Sequence, residues 1–278
     1  MHKIGVVIPS YNQGLFIEEA IKSVLSQKKV EVKIALVDGG STDNTIEIIE
    51  KYEQFFTYCR SYKDTGQSAA INEGMRFFND CSYVCWLNSD DVLLDNCLSI
   101  LSNQLEARPY AVAAYGKAQV IDGKGDFLRN YPTEVFNRKR FSRYCFICQP
   151  ATLIKKECWD LVKGLDERLH MCLDYDLLWK LSSLGEISYV SEHIACSREH
   201  LNTKSLKNQQ QHYKEAFDVL SRHYGRVPFV WVLSRVIHTY RSNRSSNSPL
   251  SAYRKFLLLV QASIQYLSIG LFRRKAGV

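Results

Sequence analysis

Apolar and polar residues follow one another in blocks along the first half of the chain. "KIGVVI" (3–8) reads as a buried strand that Pro9 should stop. From Gly14 to Gln27, Phe16, Ala20, Ile21, Val24 and Leu25 recur at helical spacing. A second apolar run, "VKIALV" (32–37), ends at "DGGSTDNT", where Ser41 or Thr42 and Asp43 are placed to cap a helix through Ile46, Ile48 and Ile49. A third strand is expected near 55–61, a helix near 67–78 and a fourth strand at "YVCWL" (83–87). Strands alternating with helices predict an α/β domain with a mostly parallel, Rossmann-like central sheet and helices on both faces.

Past residue 110 the pattern changes. "AVAAYGKAQVID" (111–122) and "GDFLRNYP" (125–132) predict a hairpin turned by Asp122-Gly123-Lys124-Gly125. In 174–184 acids lead a leucine stripe of Leu177, Leu178, Leu181 and Leu184, and a long polar helix is expected to end near Tyr224.

In such sheets ligands bind outside the carboxyl ends of the strands. Ser10-Tyr11-Asn12, Asp38 and the stretch Asn88 to Asp91 all fall at that edge. Asp90 and Asp91 stand side by side, and either a bound cation or plain solvent would relieve their repulsion. No G-x-G-x-x-G follows the first strand and no G-x-x-x-x-G-K-[ST] occurs, which argues against a dinucleotide-binding dehydrogenase and a P-loop kinase.

The chain has 278 residues, 46% apolar and 23% charged, the balance of a globular protein. Nine scattered cysteines fit a reducing compartment, and "CSYVC" and "CFIC" lack the second pair that a zinc site needs. The N-terminus reaches Pro9 too soon for a signal peptide's apolar core, so a cytoplasmic protein is expected. The net charge of +7 is uneven: no acidic residue follows Asp218, and ten Lys and Arg give +10 to residues 219–278 and −3 to the rest. Such asymmetry suggests an anionic partner.

Seven fragments in order resemble glycosyltransferase family two, inverting sugar-nucleotide enzymes of the GT-A fold. They are "VVIPSYNQGLFIEEAIKSVLSQ" (6–27), "VDGGSTDNT" (37–45), "KDTGQSAAINEGM" (63–75), "WLNSDD" (86–91), "ICQPATLIKKECWDLVKGLDERL" (147–169), "LDYDLLWKL" (173–181) and "SREHLNTKS" (197–205). The resemblance implies a catalytic domain over residues 1–224, with a nucleotide-binding half at about 1–110 and an acceptor half at about 111–224. Residues 225–278 would form a basic helical C-terminal extension.

It also implies roles. "WLNSDD" corresponds to the family's D-x-D motif, with Asn88 in place of the first Asp, Asp90 as metal ligand and Ser89 and Asp91 beside it. His200 resembles the late histidine completing the metal or diphosphate site, around Mg²⁺ or Mn²⁺. Pro9, Tyr11, Asp38 and Asp64 match the nucleotide end of the donor site, and Gly39 stands where the family often has a second Asp. Gln149 falls in the loop beneath donor sugar or acceptor, and Arg198 and Lys204 are candidate diphosphate contacts. Asp174 matches the general base, with Leu173 where a Glu is usual, while a helix-capping Asp174 and a dipole-complementing Asp176 stay open beside it. The implied activity is sugar transfer from a nucleotide-diphosphate donor, UDP favoured, to a glycan or lipid-linked acceptor in bacterial polysaccharide synthesis. A non-catalytic glycan-binding protein is the alternative that Asn88 and Leu173 support; a nucleotidyltransferase would need a Gly-rich basic loop that "PSYNQG" is not.

The tail predicts helices at 228–240 and 250–272, separated by "SNRSSNSP". Gln261 and Gln265 interrupt the apolar run, making it a poor membrane span. An interfacial helix at an anionic cytoplasmic membrane face, and a hairpin packed on the catalytic domain or a second subunit, both stay open. Nucleic-acid binding is disfavoured, because the basic residues alternate with a core-like apolar face.

Overall fold

Pro9 does not stop the first strand. β1 runs His2–Ser10 and pairs in parallel with β2 (Val30–Asp38) along its whole length, Pro9 opposite Val37. Its other neighbour, β4 (Tyr83–Trp86), pairs only as far as Val7 opposite Trp86. Ser10 turns its carbonyl to Gly39 on the β2 side, so Pro9 faces the side where β4 has ended and no ladder bond is lost.

The computed structural model describes residues 1–200, 208–242 and 252–275. After β1 come α1 (Ile17–Leu25), β2, α2 (Thr45–Lys51), β3 (Phe56–Ser61), α3 (Gln67–Met75) and β4. β5 (Val92–Leu93), α4 (Cys97–Ala107), β6 (Ala111–Ile121), β7 (Phe127–Asn130) and α5 (Arg138–Phe141) follow. Then come β8 (Thr152–Lys155), α6 (Lys156–Leu161), α7 (Leu173–Leu181) and β9 (Glu186–Arg198). Among the described residues, α8 (Gln209–His223), α9 (Phe229–Ser242) and α10 (Ala252–Lys275) come last.

Two compact units result, Met1–Asn137 with Cys145–Lys207, and Arg138–Tyr144 with Asn208–Val278. The first holds one mixed sheet in the order β3-β2-β1-β4-β8-β6-β9-β5, with β7 paired to β6. Its leading four strands are parallel, as a β–α alternation requires. β8 then pairs antiparallel with both β4 and β6, and β6 runs parallel to β9. The β6–β7 hairpin forms as expected, its turn held by Asp122 Oδ1 accepting from the N–H groups of Lys124 (2.8 Å) and Asp126 (2.9 Å).

Alternation along β1 sorts the layers. Ile4, Val6 and Ile8 join Ile17, Ile21 and Val24 of α1 and Ile48 and Ile49 of α2 in one buried core. Val7 points to the opposite face, where a Cβ on Gly74 of α3 would stand 2.8 Å from its methyls. Of the three residues expected to cap α2, only Asp43 reaches its first turn, accepting from Thr45 N–H at 3.1 Å. Ser41 and Thr42 bond elsewhere: the Ser41 hydroxyl donates to Asp38 and the Thr42 N–H donates to Asn12 Oδ1.

In the second unit, Trp231 of α9 donates from Nε1 to the Ser142 carbonyl at 2.9 Å. α9 and α10 pack through Phe229 edge-on to Tyr266, with Arg235 donating to Gln265 Oε1 at 2.9 Å. Among the described residues no helix is long and apolar enough to cross a membrane.

Candidate functional site

The loops after β1 and β2 are bound to each other before any ligand arrives. Asn12 adopts φ 51°, a left-handed conformation that Asn tolerates. Its N–H donates to Ser41 Oγ at 2.7 Å, and its Oδ1 accepts from Thr42 N–H at 2.8 Å. Gly14 N–H donates to Asp43 Oδ2 at 3.0 Å, and a Cβ at Gly14 would lie 1.8 Å from Asn44 Oδ1, so only glycine permits this approach.

Asp38 is fully buried and accepts four hydrogen bonds. These come from the N–H groups of Gly40 (3.0 Å) and Ser41 (2.8 Å) and the hydroxyls of Ser41 (2.5 Å) and Ser61 (2.7 Å). Its carboxylate therefore shapes the "DGGS" turn. Tyr11 is 60% exposed. A Cβ on Gly39 would stand 3.4 Å from the Tyr11 ring and 3.6 Å from Asp64 Oδ1. Tyr11, Gly39 and Asp64 therefore sit side by side at the carboxyl ends of β1, β2 and β3.

Arg60, which nothing in the sequence singles out, holds this corner from beneath. Its buried guanidinium donates to Glu73 Oε1 (2.9 Å) and Oε2 (2.6 Å), to the carbonyls of Asp38 and Tyr62 (2.7 Å each), and to Asp64 Oδ2 (3.4 Å). The Arg60 bonds hold the Glu73 carboxyl below its ordinary value, and the Tyr58 hydroxyl adds to the effect. Asp64 also accepts from Gly66 N–H at 2.9 Å, fixing the loop that starts α3.

"WLNSDD" leaves β4 at the centre of the edge. Asn88 Oδ1 accepts from Gln67 Nε2 at 2.7 Å, while its Nδ2 donates to Asp91 Oδ2 (3.0 Å) and Gln149 Oε1 (3.2 Å). Gln149 donates in turn to the Trp86 carbonyl at 2.7 Å. Gln67 went unrecognised as a partner because it is simply the first residue of a helix, although it lies within a matching fragment. Ser89 is buried, and so is Asp91, whose Oδ1 accepts from Arg198 N–H at 2.9 Å. Burial, with Asp90 beside it, pushes the Asp91 carboxyl up to about 7.

Asp90 turns the other way. Its Oδ2 lies 3.0 Å from His200 Nε2, and the His200 ring packs on Phe16 at 4.8 Å between centroids. Among the described residues no three His, Cys, Asp or Glu side chains gather into a metal cluster. One carboxylate oxygen and one imidazole nitrogen fit a hard divalent cation that takes its remaining positions from diphosphate oxygens and water.

Arg198 is buried, its guanidinium occupied by Glu19 Oε2 (2.5 Å) and the carbonyls of Asp90 (2.8 Å) and Asp122 (3.1 Å). It braces the Asp90 loop from behind, where a direct diphosphate contact was expected. Lys204 lies outside the described residues.

Asp174 occupies the first turn of α7, and its Oδ1 accepts from Tyr175 N–H at 2.8 Å. It does not cap the helix; Cys172 holds the cap position, with no side-chain bond. Burial raises the Asp174 carboxyl above the ordinary carboxylate range. Asp176 is fully buried and pairs with Lys180 Nζ at 2.9 Å. Burial pushes up the thiol of Cys148, one residue before Gln149, and Asp91, Cys145 and Asp174 add to the effect.

Residues 5–160 match glycosyl transferase family 2. Chondroitin synthase of Escherichia coli is 26% identical over 227 residues, covering 79% of this chain and 33% of that protein. Glycosyltransferase GlyG of Streptococcus pneumoniae is 28% identical over 211 residues, covering 67% and 69%. The crystal structure of Staphylococcus aureus TarS 1–349 in complex with UDP-GlcNAc superposes with a TM-score of 0.64 at 17% identity, covering 96% of this chain and 73% of that one. That likeness shows the fold, a GT-A arrangement with helices beyond it. The chain spans a third or less of the chondroitin and hyaluronan synthases that it matches. The match to residues 5–160 takes in more than half of the chain, including Tyr11, Asp38, Asp64, Asn88 and Asp90. This chain belongs to glycosyl transferase family 2.

Proposed function

We propose that the protein is an inverting glycosyltransferase. It moves a sugar from a nucleoside-diphosphate sugar to a hydroxyl of a growing glycan, free or lipid-linked, in bacterial surface-polysaccharide synthesis. The observation that carries this reading is the pairing of Asp90 with His200 at the same strand edge as the Tyr11–Gly39–Asp64 cluster. A nucleoside packs against Tyr11 with Asp64 accepting from it, and its diphosphate extends to Asp90 and His200. Asp38 and Pro9 act through the loop they shape, and Asn88, Ser89, Asp91, Gln149 and Arg198 fix the floor. A UDP-sugar is favoured, since TarS is described in complex with UDP-GlcNAc and TarP of S. aureus is named a poly(ribitol-phosphate) β-N-acetylglucosaminyltransferase.

Asp90 and His200 would hold Mn²⁺ or Mg²⁺, which when bound offsets the charge developing on the departing diphosphate. Asp174 receives the acceptor hydroxyl's proton as that oxygen bonds to the anomeric carbon and the carbon–diphosphate bond breaks. Its raised proton affinity suits a base at neutral pH. A second reading, a glycan-binding protein without turnover, is favoured by Asn88 and Leu173, which replace carboxylates of the family pattern. A thermal-shift screen of nucleotide sugars with Mn²⁺ present tests the donor site. At least one nucleotide sugar should raise the melting temperature, and indifference to all would contradict donor binding.

A further inference from the structure

α10 carries two apolar faces, and among the described residues only one of them is buried. Leu258 and Ala262 are buried on the side where Gln265 and Tyr266 meet α9. On the opposite side Phe256, Val260, Ile264 and Leu267 recur at spacings of four, four and three, which puts them on one stripe. They are 60%, 40%, 63% and 64% exposed. An exposed apolar stripe of this kind marks an interaction site.

Charge selects the occupant. Residues 219–278 hold ten Lys and Arg and no acid. Basic residues stand at both ends of the helix in sequence, Arg254-Lys255 before the stripe and Arg273-Arg274-Lys275 after it. A second copy would bring +10 against +10, and a duplex nucleic acid would leave the apolar stripe unused. An anionic bilayer surface satisfies both features, taking the side chains into its acyl boundary and the basic residues among its headgroups.

We propose that α10 docks the protein on an anionic lipid surface through Phe256, Val260, Ile264 and Leu267, lying in the plane of the interface. The stripe belongs to the second unit and the strand edge to the first, so the proposal stands or falls independently of sugar transfer.

The full chain is co-sedimented with vesicles of phosphatidylcholine alone and of phosphatidylcholine with phosphatidylglycerol, at low and high salt. Binding is expected only with phosphatidylglycerol present, falling severalfold as salt screens the basic residues. Ile264→Glu with Leu267→Glu, both on the outward stripe, should reduce it by about tenfold or more. Light scattering and far-ultraviolet circular dichroism on the same variant should show unchanged mass and helicity. If the variant loses helicity, the lipid and salt series on the unaltered chain decides alone. Indifference to phosphatidylglycerol vesicles at low salt overturns the proposal. An oligomer that the double substitution reduces to a monomer also overturns it, in favour of self-association, as does binding to duplex DNA without binding to vesicles.

Discussion

Asn88 donates through Nδ2 to Asp91 Oδ2 at 3.0 Å, and this bond accounts for the amide in a motif where the family places a carboxylate. Asp91 is buried with Arg198 N–H on its other oxygen, so a carboxylate at 88 would replace a donor with a second negative charge. Asn88→Asp should therefore lower stability by about 1–3 kcal/mol, the cost of a buried acceptor losing its donor. Denaturant unfolding checks it, and an unchanged midpoint would show that the amide is not what holds Asp91.

Asp174 and Asp176 should separate cleanly. Asp174→Asn removes the proposed base and should cost on the order of a hundredfold or more in turnover with donor binding kept. The folded protein holds the Asp174 proton more tightly than the unfolded chain, so the group's contribution to stability falls as pH rises through its raised value. The amide removes that loss, and the variant should be as stable as the parent at neutral pH, or slightly more. Asp176→Asn weakens a buried pair with Lys180 and should destabilise by roughly 1–3 kcal/mol with turnover less affected. Kinetics beside unfolding curves check both, and a larger turnover loss in Asp176→Asn would reverse the assignment.

The base role proposed for Asp174 also fixes a pH limb. Only the deprotonated carboxylate accepts a proton, so kcat should climb as pH rises through the group's value. That value lies above the ordinary aspartate figure of about 3.9 because burial opposes the charge. A kcat–pH profile reads it, and an acid limb at or below the ordinary figure would remove Asp174 from the role.

Arg60 supplies the sign for acid stability. Its bonds depress the Glu73 carboxyl, so the pair stabilises the fold above Glu73's unfolded value and loses that contribution as pH falls through the depressed one. Arg60→Ala should cost on the order of 3 kcal/mol at neutral pH and weaken nucleotide binding by loosening the Asp38 and Asp64 loops. The gap between variant and parent should narrow below about pH 4, near the ordinary glutamate value. Unfolding curves across pH test it, and a gap that stays constant would contradict the ion-pair account.

Much of this was legible in the sequence because its causes are local. Strand alternation, the hairpin turn and the polar residues after β1, β2 and β4 each depend on neighbours in the chain. Arg198 was not legible in this way. It reads as a diphosphate contact near His200, yet its guanidinium partners Glu19 and Asp122 lie 179 and 76 residues away. Asp38 hides similarly, since its last hydrogen bond comes from Ser61 on a different strand. Pro9 misleads because a proline ends a strand only where a neighbour needs its N–H, and here β4 has already stopped.

Release of nucleoside diphosphate from a panel of nucleotide sugars, with Mn²⁺ and with chelator, tests the proposed activity most directly. The parent chain should release it from at least one sugar nucleotide, and chelation or Asp90→Ala should abolish that release while the melting temperature stays within a few degrees. Release from none of them, or release that survives both chelator and Asp90→Ala, would contradict a metal-assisted glycosyltransferase built on Asp90 and His200.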